Sequence, residues 1–367
     1  MLYKDPCVFV VGNEYQIAFN TTEFGIAWVE VNGREYRDST NGLMRSETLI
    51  HKVSVPMSEL DTARCYRVCF RALPERRPYF PELGPLETAD YAFYPVDFER
   101  DVHAYMLADT HSRIEAPCRA ASYFGDALDM LILNGDIPAE SATPESIRGI
   151  YDITSALTGG RLPVVFARGN HDYRGRVATD LPQYIGTRDG QTYFTFRIGC
   201  LWGICLDCGE DKNDSDVEYG GLVDCHDMRL HETDYIKQVI ANAESEYLAP
   251  GIKYRIAICH LPFTTKLVEC GDPKFNIEVD IFTEWTELLN QMKLDAMFSG
   301  HTHKLDTVMP GSALMRMPAN FPVYIGSEPI RPEHPDPDRP GAQFVGTAIT
   351  LTNGCISVKY TSDTEHS

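Results

Sequence analysis

Five short stretches of this 367-residue chain each carry an apolar run that ends abruptly in carboxylates, amides or imidazoles. They lie at residues 104–111 (AYMLADTH), 129–136 (DMLILNGD), 164–172 (VVFARGNHD), 254–260 (YRIAICH) and 295–303 (DAMFSGHTH). Such runs are typical of buried parallel strands, whose carboxyl ends open onto the crevice where α/β proteins bind ligands. We therefore expect a single site to gather the polar residues that end these strands. They are Asp109, His111, Asp136, Asn170, His171, His260, His301 and His303.

The side chains of this set point to bound metal. One residue separates Asp109 from His111, and one separates His301 from His303, so in extended backbone each pair shares one face. Carboxylate, amide and imidazole groups without thiolates suit manganese, iron or zinc. Taken alone, each piece is explained as well by a helix cap or a hydrogen-bonded core histidine. Together they offer seven candidate ligands, which suits two divalent ions that share one bridging carboxylate.

The pattern of the chain changes near residue 97. Before it, residues 26–31 (IAWVEV) followed by Asn32 and Gly33 predict a hairpin, because Asn-Gly favours the positive φ angles of a type I′ turn. Further alternating strands predict a small β-sandwich of the fibronectin III kind over residues 1–97. From residue 98 to residue 367 strands alternate with helices, which predicts an α/β domain.

Composition excludes some classes of partner. The net charge of −20 would repel a long polyanion, so we expect no nucleic-acid partner. No segment approaches the ~18 apolar residues of a membrane span, and the N-terminus does not resemble a secretory leader. The eleven cysteines lack a framework spacing, which favours reduced thiols and a cytoplasmic location. A zinc site at Cys205, Cys208, Cys225 and His226 is an alternative to structural roles for those residues.

The five blocks in this order resemble the calcineurin-like metallophosphoesterases, whose pattern is D-x-H, G-D, G-N-H-D/E, a single H and G-H-x-H. Here the blocks read Asp109-Thr110-His111, Gly135-Asp136, Gly169-Asn170-His171-Asp172, His260 and Gly300-His301-Thr302-His303. The resemblance implies a four-layer α/β/β/α sandwich. It further implies that Asp109, His111 and His303 hold one metal ion, that Asn170, His260 and His301 hold the second, and that Asp136 bridges them.

The order of a β domain and then this catalytic domain is similar to that of purple acid phosphatases. Those enzymes have a tyrosine three residues after the bridging aspartate and lack the first-block histidine. This chain has Ala139 and retains His111, so a tyrosinate-iron centre is not expected. Protein serine/threonine phosphatases place an aspartate at that position to pair with the catalytic histidine, and Ala139 departs from this pattern as well.

The resemblance implies a metal-dependent hydrolase of a small phosphomonoester or phosphodiester, in which hydroxide shared by two ions attacks phosphorus. His171 is the candidate general acid, with Asp172 either orienting it or capping a helix. Arg168 and Arg174 are candidates for binding a substrate oxygen, although both also fit an ordinary surface role. The alternatives are a scaffold protein of the same fold and, less favoured by the charge, a nuclease. The long polar insertion at residues 207–232 either contacts substrate or is plain surface.

Overall fold

The structure of the chain is a computed structural model that describes residues 1–266 and 276–365. Residues 1–97 contain β1 (Cys7–Val11), β2 (Glu14–Asn20), β3 (Gly25–Val31), β4 (Arg34–Arg37), β5 (Ser39–Thr40), β6 (Leu43–Met44), β7 (Ile50–Pro56), α1 (Met57–Ala63), β8 (Cys65–Ala72) and β9 (Glu87–Ala92). The region is β-rich, as the sequence predicts.

The rest of the chain alternates strands and helices. The strands are β10 (Val102–Leu107), β11 (Met130–Asn134), β12 (Pro163–Ala167), β13 (Phe194–Ile198), β14 (Leu201–Leu206), β15 (Tyr254–Cys259), β16 (Ala296–Ser299), β17 (Asp306–Val308), β18 (Val323–Ile325), β19 (Glu328–Pro329), β20 (Phe344–Thr352) and β21 (Cys355–Ser362). The α-helices are α2 (Glu115–Ala121), α3 (Pro144–Ile147), α4 (Gly149–Thr158), α5 (Cys225–Ala241) and α6 (Val279–Gln291). Short 3-10 turns lie at Ser122–Ala127, His171–Tyr173, Ala178–Gln183 and Val217–Tyr219.

Two mixed sheets form the centre of the molecule. The larger has the order β19-β20-β10-β11-β12-β1-β2-β7, with β21 paired to β20, and the smaller has the order β13-β14-β15-β16-β18-β17. Strands β10, β11 and β12 are parallel to one another, as are β14, β15 and β16. The carboxyl ends of the central strands therefore meet at the same edge, where the candidate ligands follow them.

The faces of the central strands explain the four layers. Along β11, Ile132 packs into the core between the sheets while Leu131 and Leu133 pack outward against helices α2 and α4. The second sheet does the same, since Ile258 faces the shared core and Ala257 faces helices α5 and α6. Burial on both faces is why these strands read as continuous apolar runs. The predicted α/β/β/α sandwich is thus confirmed.

Capping residues set the ends of α3 and α4. Thr143 precedes α3 and accepts a hydrogen bond from Ser146 N, Pro144 is the first helical residue, and Gly159 follows the last residue of α4 with φ of 53°. Arg148 separates α3 from α4.

Strand β1 joins the N-terminal region to the large sheet. Val8 pairs with Pro163 and Phe9 pairs with Val164, in parallel, while β2 and β7 continue the sheet beyond it. Strands β3, β4, β8 and β9 form a separate antiparallel sheet, in which β3 and β4 are the predicted Asn-Gly hairpin. All five residues of β1 are buried, as in a strand covered on both faces. Strands β1, β2 and β7 of residues 1–97 lie in the same sheet as β10, β11 and β12. The division of the chain into two domains at residue 97 stays a prediction. No helix in the described ranges is long and apolar enough to cross a bilayer.

Candidate metal centre

Tight turns at the strand ends direct the candidate ligands. Asp109, His111, Asp136, His301 and His303 all have positive φ angles, between 45° and 71°. This conformation is uncommon outside glycine and is found at functional sites where surrounding structure imposes it. We predicted that extended backbone would align the two paired blocks. That explanation was wrong, because the turns rather than the pleat bring each pair to one side.

The first group consists of Asp109, His111 and His303, whose ligand atoms lie within 4.8 Å of one another. The Nε2 atoms of His111 and His303 are 2.9 Å apart, and the Nε2 atom of His303 is 3.4 Å from Asp109 Oδ1. The structure therefore brings these three residues together.

The second group consists of Asp136, His260 and His301, again within 4.8 Å. The Nε2 atom of His260 lies 3.2 Å from Asp136 Oδ2, and the Nδ1 atom of His301 lies 3.0 Å from the side-chain oxygen of Asn170. A third group joins His111, Asp136 and His171, so Asp136 lies between the other two groups. All eight residues predicted from the strand ends meet in one place.

These residues fit divalent ions. An ion about 2.1 Å from each of two ligands at right angles separates the ligand atoms by about 3 Å, close to the distances of 2.9 to 3.4 Å found here. Asp109 Oδ1 and His260 Nε2 are buried without a hydrogen-bond partner, which is costly unless a cation completes them. The other ring nitrogen of His260 lies 2.7 Å from the carbonyl oxygen of Asn134, a contact that aims Nε2 at the site.

Burial shapes the charge of the site. It lowers the pKa of His111 and of His301 to about 4, so both imidazoles are neutral at pH 7, as metal ligands must be. Burial would also lower the pKa of His260, but the charges of Asp136 and Asp109 outweigh it and raise that pKa to about 10. Burial would raise the pKa of Asp136, yet His260 holds it below its usual range. The carboxylates of Asp136 and Asp109 thus favour a positive charge beside them, at the position of His260.

His171 and Asp172 take separate roles. The Nδ1 atom of His171 lies 2.8 Å from the carbonyl oxygen of Ala139, and its side chain is 31% exposed at the mouth of the site. The Asp172 carboxylate contacts the backbone rather than this ring, unlike the orienting role that the sequence suggests for it. Its Oδ2 accepts hydrogen bonds from the backbone N–H groups of Gly169 and Asp136, at 2.7 and 3.3 Å. Asp172 is buried and links the turns that carry Asn170 and Asp136. Accepting hydrogen bonds from backbone N–H groups resembles the capping role that the sequence offers as the alternative.

The two candidate arginines have different contacts. The Arg168 side chain is held within the protein, because its Nε donates to Asp207 at 2.6 Å and its guanidinium lies over the Tyr173 ring at 3.8 Å. Arg174 donates from Nε and Nη2 to Glu210 at 2.8 Å each, while its Nη1 lies 3.4 Å from His171 Nε2. Arg174 therefore borders the candidate acid, whereas Arg168 anchors the strand end. Substrate binding by either remains a prediction.

The insertion at residues 207–232 contributes residues that the sequence did not single out. Glu210 and Asp211 are buried beside the centre, and Asp211 Oδ2 lies 3.8 Å from His301 Nε2. The only sequence signal was two adjacent carboxylates after a strand, which is common in polar loops. His226 and His231 are exposed on α5, where they contact Glu278 and Asp227.

The cysteines form no metal group among the described residues. The three groups found there contain only aspartates and histidines of the strand ends, so the zinc alternative at Cys205, Cys208, Cys225 and His226 finds no support. Cys208 Sγ lies instead 3.1 Å from Cys259 Sγ, and the described cysteines are free thiols.

Comparison with known proteins agrees with this geometry. The model of the calcineurin-like phosphoesterase family matches residues 103–305, more than half of the chain. The serine/threonine-protein phosphatase CPPED1 of Danio rerio is 24% identical over 177 residues, which are 47% of this chain and 53% of that protein. The protein of the same name from Mus musculus is also 24% identical over 177 residues. The chain thus spans about half the length of the curated relatives it matches.

Solved structures share the fold. Purple acid phosphatase PPD1 from yellow lupin (Lupinus luteus) superposes with a TM-score of 0.65 at 10% identity, covering 100% of this chain and 72% of that chain. PhoD superposes with a TM-score of 0.54 at 10% identity, covering 95% and 83%. At this identity the likeness concerns the architecture alone.

Proposed function

The chain belongs to the calcineurin-like phosphoesterase family, and we propose that it hydrolyses a small phosphomonoester or phosphodiester with the help of two divalent metal ions. One observation carries the proposal. Seven candidate ligand side chains from five strand ends converge, and two of their buried atoms, Asp109 Oδ1 and His260 Nε2, have no hydrogen-bond partner. All seven lie in residues 98–367, so we assign catalysis to that part of the chain.

The ligand atoms divide into two sets. Asp109, His111 and His303 would hold one ion. Asn170, His260 and His301 would hold the other, with Asp136 between the two sets. When bound, the two ions supply activation of water and positive charge that offsets the phosphoryl oxygens. Manganese, iron and zinc all suit these ligands.

The residues around the ligands supply the proton and the orientation. The His171 ring is held through Nδ1 by the Ala139 carbonyl, which leaves Nε2 to donate a proton to the leaving oxygen. Arg174 stands 3.4 Å from that nitrogen and is fixed by Glu210, so its guanidinium can contact a phosphoryl or leaving-group oxygen beside the acid. His171 as the acid and the Arg174 guanidinium would therefore act on the same reacting bond.

The proposal is tested with metal-free protein reloaded with Mn²⁺, Fe²⁺ or Zn²⁺. The substrates are p-nitrophenyl phosphate, its bis-ester and a phosphoserine peptide, the last because the matched relatives are named serine/threonine-protein phosphatases. We expect metal-dependent turnover of at least one substrate and about two ions per chain by elemental analysis. Two bound ions without turnover of any ester would favour the scaffold alternative. Failure to bind metal would overturn both the site and the proposed reaction.

A further inference from the structure

The insertion at residues 207–232 places two adjacent carboxylates against different parts of the centre. Glu210 holds Arg174, which borders the candidate acid His171. Asp211 lies between Arg174 and the second ligand set, because its Oδ1 is 3.6 Å from Arg174 Nη2 while its Oδ2 is 3.8 Å from Nε2 of the candidate ligand His301. The role of Glu210, which is to hold Arg174, follows from the proposed reaction. Asp211 belongs neither to the candidate ligands nor to that reaction.

The two ring nitrogens of His301 face different surroundings. Nδ1 lies 3.0 Å from the side-chain oxygen of Asn170, a ligand of the same set, and therefore faces the metal. Nε2 then carries the proton of the neutral ring and faces Asp211. His260 shows the same division in reverse, with Nε2 near Asp136 and Nδ1 at 2.7 Å from the Asn134 carbonyl. Histidine ligands are generally held in this way by an acceptor on the nitrogen that does not bind the metal.

Asp211 is itself fixed in place. Its Oδ1 accepts hydrogen bonds from Lys212 Nζ and from the Tyr219 hydroxyl, both at 2.9 Å. The side chain is buried, with 10% of it exposed. These contacts occupy one oxygen and leave Oδ2 directed at the imidazole. A buried charge held this firmly constrains its neighbour more than a solvated one.

We propose that Asp211 is a positioning residue for the second metal site, where its carboxylate holds the His301 ring so that Nδ1 faces the ion. The inference rests on the proposed function, because it needs an ion at that site. It gives the insertion a defined role, which is to complete the metal centre from outside the five ligand blocks. A small side-chain rotation would bring the two atoms, now 3.8 Å apart, within hydrogen-bond distance.

The test measures Mn²⁺ binding to metal-free protein by calorimetry, so that it does not depend on activity. The variants are Asp211→Ala and Asp211→Asn, the second of which keeps an acceptor oxygen. In the wild type we expect two binding steps. In Asp211→Ala we expect one step to weaken by roughly 10- to 100-fold, as is typical when the partner of a ligand is removed, while the other stays unchanged. Asp211→Asn should recover part of the loss.

A loop control separates this role from general support of the insertion. Asp214 belongs to the same insertion, and its Oδ2 accepts a hydrogen bond from His226 N at 2.9 Å, near the start of α5. Asp214→Ala removes that contact and should leave both binding steps as in the wild type. Melting temperatures of all variants confirm that they fold, and Asp211→Asn decides the question if Asp211→Ala does not.

Each outcome has a separate meaning. A wild type that binds fewer than two Mn²⁺ ions overturns the proposed function before any variant is compared. Two wild-type steps that are unchanged in Asp211→Ala overturn the Asp211 inference alone. Equal weakening of both steps, with the same weakening in Asp214→Ala, shows only that the loop supports the fold, and it also overturns the inference. Loss confined to one step and partly restored by asparagine supports it.

Discussion

The Nδ1 atom of His171 lies 2.8 Å from the backbone carbonyl oxygen of Ala139. A carbonyl only accepts hydrogen bonds, so Nδ1 carries a proton in this contact and Nε2 is the nitrogen that would exchange a proton with substrate in the proposed reaction. The sequence pattern of protein serine/threonine phosphatases, given above with the resemblance, has an aspartate at this position to pair with the histidine. Here the main chain makes the contact, which explains how an alanine can occupy the position while the ring stays oriented.

His171→Ala should reduce kcat by roughly 100-fold or more while both metal ions stay bound, because the variant removes a proton donor but no ligand. The loss should be larger for phenyl phosphate than for p-nitrophenyl phosphate, since the nitrophenolate leaves readily without a proton. Steady-state kinetics with elemental analysis measure both effects. The matched control is His231→Ala, which removes an exposed histidine of α5. Equal losses on the two esters would contradict the role of a general acid.

Arg174→Lys should raise KM about tenfold with a smaller effect on kcat. Lysine keeps the charge but cannot make the two parallel bonds to Glu210 that fix the guanidinium beside His171. A hydrogen bond to a charged group contributes about 1.5 to 3 kcal/mol, and a tenfold change corresponds to about 1.4 kcal/mol. The control is Arg197→Lys, where the side chain donates to the carbonyls of Gly199 and Pro250. An unchanged KM in Arg174→Lys would exclude Arg174 from substrate binding.

The sequence predicts that the candidate ligands converge, because their signal is local. Each candidate ligand directly follows a strand whose two faces are both buried, and that burial appears as an uninterrupted apolar run. The cap at Thr143 and the hairpin at Asn32 and Gly33 are likewise set by neighbouring residues. Such features need no knowledge of what packs against them.

The sequence does not predict contacts between distant segments. Strand β1 pairs with β12 across about 150 residues of chain, and nothing local to CVFVV names that partner. The orientation of His171 depends on a carbonyl group, which every residue has. The place of Asp211 beside His301 depends on how a polar insertion folds back over the sheet edge. These features come from tertiary packing, which single-chain patterns do not encode.

Glu232→Gln should stabilise the protein increasingly as pH rises. Glu232 is buried, with Oε1 bonded to Asp207 N at 2.9 Å and Oε2 unpartnered. Burial, and secondly the charge of Asp207, raise the pKa of Glu232 well above its usual value. In the unfolded chain this group ionises near pH 4.3, so above that pH the folded state binds the extra proton and loses stability. The free energy of unfolding therefore falls with pH, by at most about 1.4 kcal/mol per pH unit from this group.

Urea unfolding of wild type and Glu232→Gln between pH 4.5 and 8 measures the effect. The difference between the two should be small at pH 4.5 and should grow in favour of the variant towards pH 8. Glu284→Gln is the control, since Glu284 is 44% exposed on α6 and pairs with Lys237. Its difference from wild type should stay nearly flat. A flat difference for Glu232→Gln would mean that Glu232 ionises normally in the folded protein.

Gly169→Ala should weaken metal binding even though it alters no ligand. A Cβ atom at this position would overlap Asp136 Oδ1 and would lie 2.6 Å from Asp136 N, so the carboxylate proposed as the bridge has to move. Overpacking of this kind costs about 1 to 3 kcal/mol of stability, and displacement of the proposed bridge should affect both ions together.

Gly149→Ala is the matched control, because the nearest atom to its Cβ is Ile114 Cδ1 at 3.7 Å and alanine favours helix α4 by up to about 1 kcal/mol. Calorimetric Mn²⁺ titration and urea unfolding should show Gly169→Ala losing affinity in both binding steps and Gly149→Ala losing none. Wild-type affinity in Gly169→Ala would mean that the Asp136 turn yields without cost and that its close packing against Gly169 is not needed to hold the bridge.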